Sequence, residues 1–171
     1  MHPAAFSFAA PRLIAATPKR VLEIGACDVN ATIQGLSLRA LLPDAVWIGI
    51  DERAGPGVDE IASAADFRTR RTFDVVISTE AMEHTPAPHD IIACAGRYLI
   101  PGGRLIITAA APERQPHGCD GGAVQPGEHY RGIAPDELRA MLDDWADVEI
   151  THDPAVGDVY ATARKTPAAT D

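Results

Sequence analysis

"VLEIGACDVN", residues 21–30, begins as a strand and ends as a turn. Val21, Leu22 and Ile24 are strand formers, and Gly25 permits the chain to bend sharply after them. Only one glycine stands in the turn, where ligand-binding turns after a first strand often carry two or three. If residues 20–24 are the central strand of an open α/β sheet, Gly25 sits at the crevice beyond the strands' carboxyl ends, where ligands bind. Asn30 would then cap the following helix and leave free N–H groups near the same pocket. A glycine that simply ends a strand is the alternative, and the turn alone does not choose between them.

The rest of the chain alternates in a way that supports the sheet. A helical pattern over 30–42, "NATIQGLSLRALL", stops at Pro43, and "AVWIGID" (45–51) reads as the next strand. A short third strand is expected near Val58–Ile61, followed by the buried run "FDVVIST" (73–79). Continuous apolar runs of this kind suit parallel strands covered on both faces. "HDIIACAGRYL" (89–99) reads as a helix, "PGG" (101–103) breaks it, and "RLIITAA" (104–110) resumes as strand. A Gly- and Pro-rich stretch then runs to Pro135, a length that in a compact domain is usually functional or mobile. "PDELRAMLDDW" (135–145) is a helix with Pro early and Asp136 and Glu137 in its first turn. "DVEITHD" (147–153) and "DVYATARK" (158–165) are joined by too short a link for a crossover helix, so they pair antiparallel. The expected fold is one α/β domain over residues 1–171, mostly parallel with a hairpin ending.

Composition narrows the function classes. The 171 residues are 46% hydrophobic, as in an ordinary globule, and carry 15 basic against 24 acidic residues for a formal charge of −9. That balance argues against broad nucleic-acid or anionic-membrane binding. "RTRR" (68–71) is the only dense basic patch and reads as a solvated connection. No apolar run reaches a membrane-spanning length, and "MHPAAFSFAAPRL" lacks the basic opening of a secretory signal, so the cytoplasm is the expected location. Cys27, Cys94 and Cys119 are odd in number and widely spaced, which suits reduced thiols.

Two further signals bear on the turn. Asp51 lies 26 residues after Gly25 at the end of the second strand, with Glu52 beside it. A carboxylate there can accept both hydroxyls of a ribose, in a nicotinamide or in another adenosine cofactor. "AADF" (64–67) follows the short third strand, where Asp66 can accept from an exocyclic adenine amine with Phe67 beside the ring, or can be an exposed loop aspartate.

Taken together, "VLEIGACD" (21–28), "WIGIDERAGPGVD" (47–59), "AADF" (64–67), "FDVVISTEAMEHT" (73–85), "LIPGGRLIITA" (99–109) and "HYRGIAPDELRAML" (129–142) resemble the class I S-adenosylmethionine-dependent methyltransferases. The resemblance covers roughly residues 18–165 and rests on the order and spacing of the blocks. It implies a Rossmann-like, mostly parallel seven-stranded sheet of order 3-2-1-4-5-7-6, with strand 7 antiparallel and helices on both faces. It implies S-adenosyl-L-methionine as cofactor. Glu23 would orient the turn and the amino-acid end of that cofactor, and Gly25, with Ala26 and Cys27, would pass beneath it. Asp51 and Glu52 would face the ribose, Asp66 and Phe67 the adenine, and Thr79 and Glu80 the methionine part and the acceptor. The sequence departs from the family pattern at Cys27 and Val29, where further glycines are usual, so those side chains should turn aside. The segment between strands 3 and 4 is also reduced to little more than "RTRR".

An oxygen nucleophile needs a base near its proton, whereas a free amine does not. His84 is the first candidate, because the end of strand 4 borders the transfer site, and His117 and His129 follow. His84 has a packing or capping role as its alternative, and no spacing fixes the distance of His117 and His129 from the cofactor. No metal is expected: "EAMEH" (80–84) is not HExxH, although a metal-dependent transfer through Glu80, Glu83 or His84 is a minor alternative. Arg131 either grips an acidic substrate or holds the long loop. The expected function is O-directed methyl transfer to a small-molecule or glycan acceptor by a monomer or homodimer. A noncatalytic binding relative and an NAD-dependent oxidoreductase are the alternatives.

Overall fold

Residues 1–28 and 37–167 are described by the computed structural model. The central strand is β1 (Arg20–Ile24), flanked on both sides by parallel partners, β2 (Val46–Asp51) and β4 (Phe73–Thr79). β3 (Glu60–Ile61) is a two-residue edge strand beside β2. On the other side lie β5 (Leu99–Ala110), β7 (Asp158–Arg164) and β6 (Ala146–Asp153), so the sheet order is β3-β2-β1-β4-β5-β7-β6. β7 runs antiparallel to both of its neighbours. The sheet is as the sequence leads one to expect, including the terminal hairpin.

Alternation along each strand divides the core into two layers. Val21, Val75, Ile77 and Ile106 face α1 (Pro3–Ala16) and Leu38. Leu22, Val76, Leu105 and Ile107 face α2 (His89–Tyr98) and α3 (Pro135–Met141), the latter through Leu138. Val75, Val76 and Ile77 are all fully buried, which is what a strand covered on both faces requires.

Two local expectations need correction, and one element is new. The N-terminal lead-in is a full helix, α1, which begins with Pro3 in its first turn and contains Pro11. Its buried face is Ala5, Ala9, Ala10 and Leu13, and alanines carry too little hydrophobic contrast to announce a helix from sequence. "PGG" does not separate α2 from its strand. β5 already starts at Leu99, and its register against β4 shifts between Phe73 and Val75, so the glycines sit in a bulge. α3 ends at Met141, short of the expected 145. The expected helix over 30–42 falls largely outside the described residues, and its described end holds a 3₁₀ turn, Arg39–Leu41. Among the described residues no helix is long and apolar enough to cross a membrane.

Candidate functional site

The strand order reverses between β1 and β4, and a cleft of about 1260 Å³ opens at their carboxyl ends. Typical sites for one small ligand occupy about 300–1,000 Å³, so this cleft is ample for a small ligand. Gly25, Asp51 and Thr79 reach it from the ends of β1, β2 and β4.

The turn after β1 is held by its neighbours. Gly25 and Ala26 both donate to the Ile50 carbonyl, at 2.9 and 3.0 Å, and Asp28 donates to Pro56 at 2.8 Å. Gly25 has φ of +76°, and a Cβ there would lie 2.4 Å from Cβ of Ala81. The glycine is therefore demanded by the protein's own packing as well as by its backbone conformation. The missing glycines of the turn are replaced from the facing loop. A Cβ on Gly55 would fall 2.5 Å from Sγ of Cys27, and one on Gly57 would fall 2.4 Å from the Ala26 carbonyl. Space for Cys27 thus comes from residue 55, a compensation that no reading of the turn by itself reveals. Val29 and Asn30 lie outside the described residues.

Asp51 bridges two backbone segments. One carboxylate oxygen accepts from Cys27 N–H at 3.1 Å and the other from Arg53 N–H at 2.9 Å. Glu52 is exposed beside it on the cleft. Glu23 borders the cleft behind the turn, and burial pushes its carboxyl up to about 7 despite the opposing Arg39 guanidinium. Arg39, which no motif in the sequence marks, reaches Glu23 at 3.2 Å, Asp59 at 3.0 Å and the Gly57 carbonyl at 2.5 Å. It ties β1 to the loop that supplies the replacement glycines.

Asp66 and Phe67 do not sit on this cleft; Ala62, Ser63, Ala64 and Ala65 do. The exposed Asp66 carboxylate accepts from the Ser63 hydroxyl at 2.8 Å. Phe67 is 1% exposed, in the core, and meets Tyr98 edge-on at 5.3 Å. The expectation that its ring neighbours a ligand is corrected: an aromatic placed there fills the apolar layer beneath α2.

Another wall of the cleft is built where β4 stops. Glu80 has φ of +55°, the chain reverses, and the 3₁₀ turn Met82–His84 buries Met82 and Glu83 while His84 faces the cleft. The long loop brings His117 and Tyr130 against it, with ring centroids 5.1 Å (His84–His117), 4.8 Å (His117–Tyr130) and 5.6 Å (His84–Tyr130) apart. His129 also borders the cleft. All three sequence-predicted histidines therefore border the same cleft, and two of them, His84 and His117, are in ring contact. Burial, with the adjacent His117, holds His84 below the ordinary imidazole value. Arg131 lies elsewhere: it forms a two-pronged pair with Glu137 at 2.7 and 2.8 Å, and its N–H donates to the Glu83 carbonyl. It holds the loop.

A charged cluster unseen in the sequence closes the wall beside Glu80. Glu80 accepts from Thr108 at 3.0 Å and from Arg114 at 2.7 Å, and Arg114 also touches the fully buried Asp158. His2, just ahead of α1, lies 3.2 Å from Glu80 and 3.0 Å from Asp158. Burial alone would lower the His2 imidazole, but hydrogen bonds to Asp158 and Glu80 outweigh it and raise it to about 9. The 2.7 Å approach of Arg114 to His2 sets two donors together once His2 is protonated, and the two carboxylates offset that repulsion.

Comparison with known proteins supplies the context for this geometry. A family model described as methyltransferase domain matches residues 4–152. Ubiquinone biosynthesis O-methyltransferase of Thiobacillus denitrificans is 32% identical over 102 residues, a match spanning 53% of this chain and 44% of that enzyme. Among solved structures, the 1,6-didemethyltoxoflavin-N1-methyltransferase of Burkholderia thailandensis, bound to 1,6-didemethyltoxoflavin and S-adenosylhomocysteine, superposes with a TM-score of 0.66 at 20% identity, over 95% of this chain and 79% of the other. The N-methyltransferase NodS of Bradyrhizobium japonicum, bound to S-adenosylhomocysteine, gives 0.61 at 17% identity, over 92% and 85%. At those identities the two structures speak to the fold alone.

Proposed function

This chain belongs to the methyltransferase-domain family of class I S-adenosylmethionine-dependent enzymes, and from that premise we propose that it transfers a methyl group to a hydroxyl of a small-molecule or glycan acceptor. The observation that carries the proposal is one cleft lined both by Gly25 and Asp51 and by His84, His117 and His129.

The residues present fit the cofactor. Asp51 accepts one backbone N–H on each carboxylate oxygen, which leaves each oxygen a further lone pair for a ribose hydroxyl. Ala62–Ala65, rather than Asp66, border the space next to β3. When bound, S-adenosylmethionine supplies a methyl group already activated on a sulfonium. The chain's task is then to hold the acceptor oxygen in line with that group, a positional effect that accounts for much of the rate. In this reading His84 and His117, which border the cleft, would take the proton of an acceptor hydroxyl, a requirement of oxygen acceptors that free amines lack. The relative at 32% identity carries an O-methyltransferase name, which supports the same choice.

The test is a titration of the chain with S-adenosylmethionine and, separately, NAD, followed by transfer of labelled methyl to panels of phenols, sugars and amines. Binding of S-adenosylmethionine alone with transfer to a hydroxyl is expected. Binding without any transfer would favour the noncatalytic alternative, and binding of neither would refute the assignment.

A further inference from the structure

We propose that Glu83, His84 and His117 form a site for a divalent transition-metal ion, zinc being the natural match, in the wall of the cleft. Each residue offers one ligand atom, and the three atoms lie within 4.8 Å of one another. Glu83 is fully buried, and neither of its oxygens completes a hydrogen bond of normal geometry, although the backbone N–H groups of Glu83 and Ala110 lie near its carboxylate. Nδ1 of His84 is buried and unpartnered as well. A carboxyl group in such a place either keeps its proton or takes a cation, because an uncompensated charge there is costly.

The ligand chemistry selects the ion. Two imidazoles and one carboxylate suit zinc and its first-row neighbours, whereas magnesium and calcium favour oxygen donors. Three protein ligands leave a position open, as catalytic zinc sites do. The second ring nitrogen of His117, Nδ1, lies 3.2 Å from the Gln115 carbonyl. That contact fixes the ring with Nδ1–H as donor and leaves Nε2 free to ligate, the usual arrangement of a metal-bound histidine. Around zinc the ligand atoms would stand about 3.4 Å apart, so the trio must draw in by roughly an ångström. The other trio of this kind, His2, Glu80 and Asp158, already holds the Arg114 guanidinium between its carboxylates and has no need of a cation.

His84 and His117 border the cleft while the buried Glu83 does not, so the open position faces the cleft. An ion held there by His84 and His117 would make an acceptor hydroxyl on the open position ionise more readily, its proton then passing to water in the open cleft instead of to those histidines. That consequence rests on the methyl-transfer reading; the site itself does not.

The experiment is calorimetric titration of the full, tag-free, chelator-treated chain with zinc chloride, without S-adenosylmethionine, for wild type, H117A, E83Q and H2A. His117 is on a partly exposed loop, so H117A reports even if E83Q fails to fold. One ion per chain is expected, bound at least about tenfold more tightly by wild type and H2A than by H117A. Cobalt chloride in place of zinc should give visible absorption bands that H117A abolishes. A wild-type to H117A ratio under tenfold, or loss of the ion in H2A instead, overturns the site. Parallel titration of the same preparations with S-adenosylmethionine keeps the two readings apart: donor binding without zinc binding sinks the metal site alone, and zinc binding without donor binding sinks the methyl-transfer reading alone.

Discussion

The backbone N–H of Cys27 donates to the carboxylate of Asp51 across 3.1 Å, so the turn after β1 and the end of β2 are one unit. Asp51 is accordingly a clamp on the turn, and in the proposed function it also faces the ribose. Asp51→Ala should weaken S-adenosylmethionine at least about tenfold, the loss expected when a charged hydrogen-bond acceptor is removed. Asp66→Ala should change it less than about threefold, since Asp66 is exposed and engaged with Ser63. Calorimetric titration of both variants checks the pair. Equal losses would restore Asp66 to the site and remove the distinction drawn from the cleft.

Gly25 makes a prediction that separates strain from crowding. Gly25→Ala places a Cβ against Ala81 and holds alanine at φ of +76°. Each effect alone costs on the order of 1–3 kcal/mol, and about 1 kcal/mol moves the melting temperature of a chain this size by roughly 2–4 °C. Adding Ala81→Gly should relieve the collision but leave the backbone strain. The double variant should therefore melt between Gly25→Ala and wild type. Thermal unfolding of the set decides it, and no recovery at all would show that crowding against Ala81 is irrelevant.

Arg39 is a clamp whose loss should be felt at Glu23. Arg39→Ala leaves the buried Glu23 carboxyl without its cation and frees the loop at Gly57 and Asp59. With 28% of the Arg39 side chain exposed, the expected cost is about 1–3 kcal/mol, below that of a fully buried pair. Glu23→Gln should reduce that penalty, because the group left behind is then neutral. Denaturant unfolding of the two single variants and the double variant measures the coupling. Simple additivity would mean that the pair contributes nothing as a pair.

How much can be read in the sequence depends on how locally each feature is encoded. β4, the terminal hairpin and Asp51 announce themselves in a few consecutive residues, and His84, His117 and His129 stand out by their chemical type. The replacement of turn glycines by Gly55 and Gly57 cannot be read, because it depends on two loops meeting across β2. The His2–Glu80–Arg114–Asp158 cluster draws on four distant segments, and the helix that delivers His2 is built on alanine. Phe67 misleads for a related reason: an aromatic beside a candidate ligand residue fits a binding site and a core equally well, and only its burial under Tyr98 decides.

That cluster makes the stability of the protein depend on pH in a definite direction. His2 has a folded value of about 9 against an ordinary 6.5, so the folded state binds its proton more tightly than the unfolded chain does. Its contribution is fully present below about pH 6.5, fades as pH rises, and is gone once pH passes about 9. With 24% of the side chain still exposed, the contribution is about 2 kcal/mol. His2→Ala should therefore lower stability by about that amount at pH 6 and by much less at pH 10. Urea unfolding of wild type and variant at the two values measures it. A difference that stays constant with pH would mean that His2 acts through packing near Tyr160 and α1, and not as the cation held between Glu80 and Asp158.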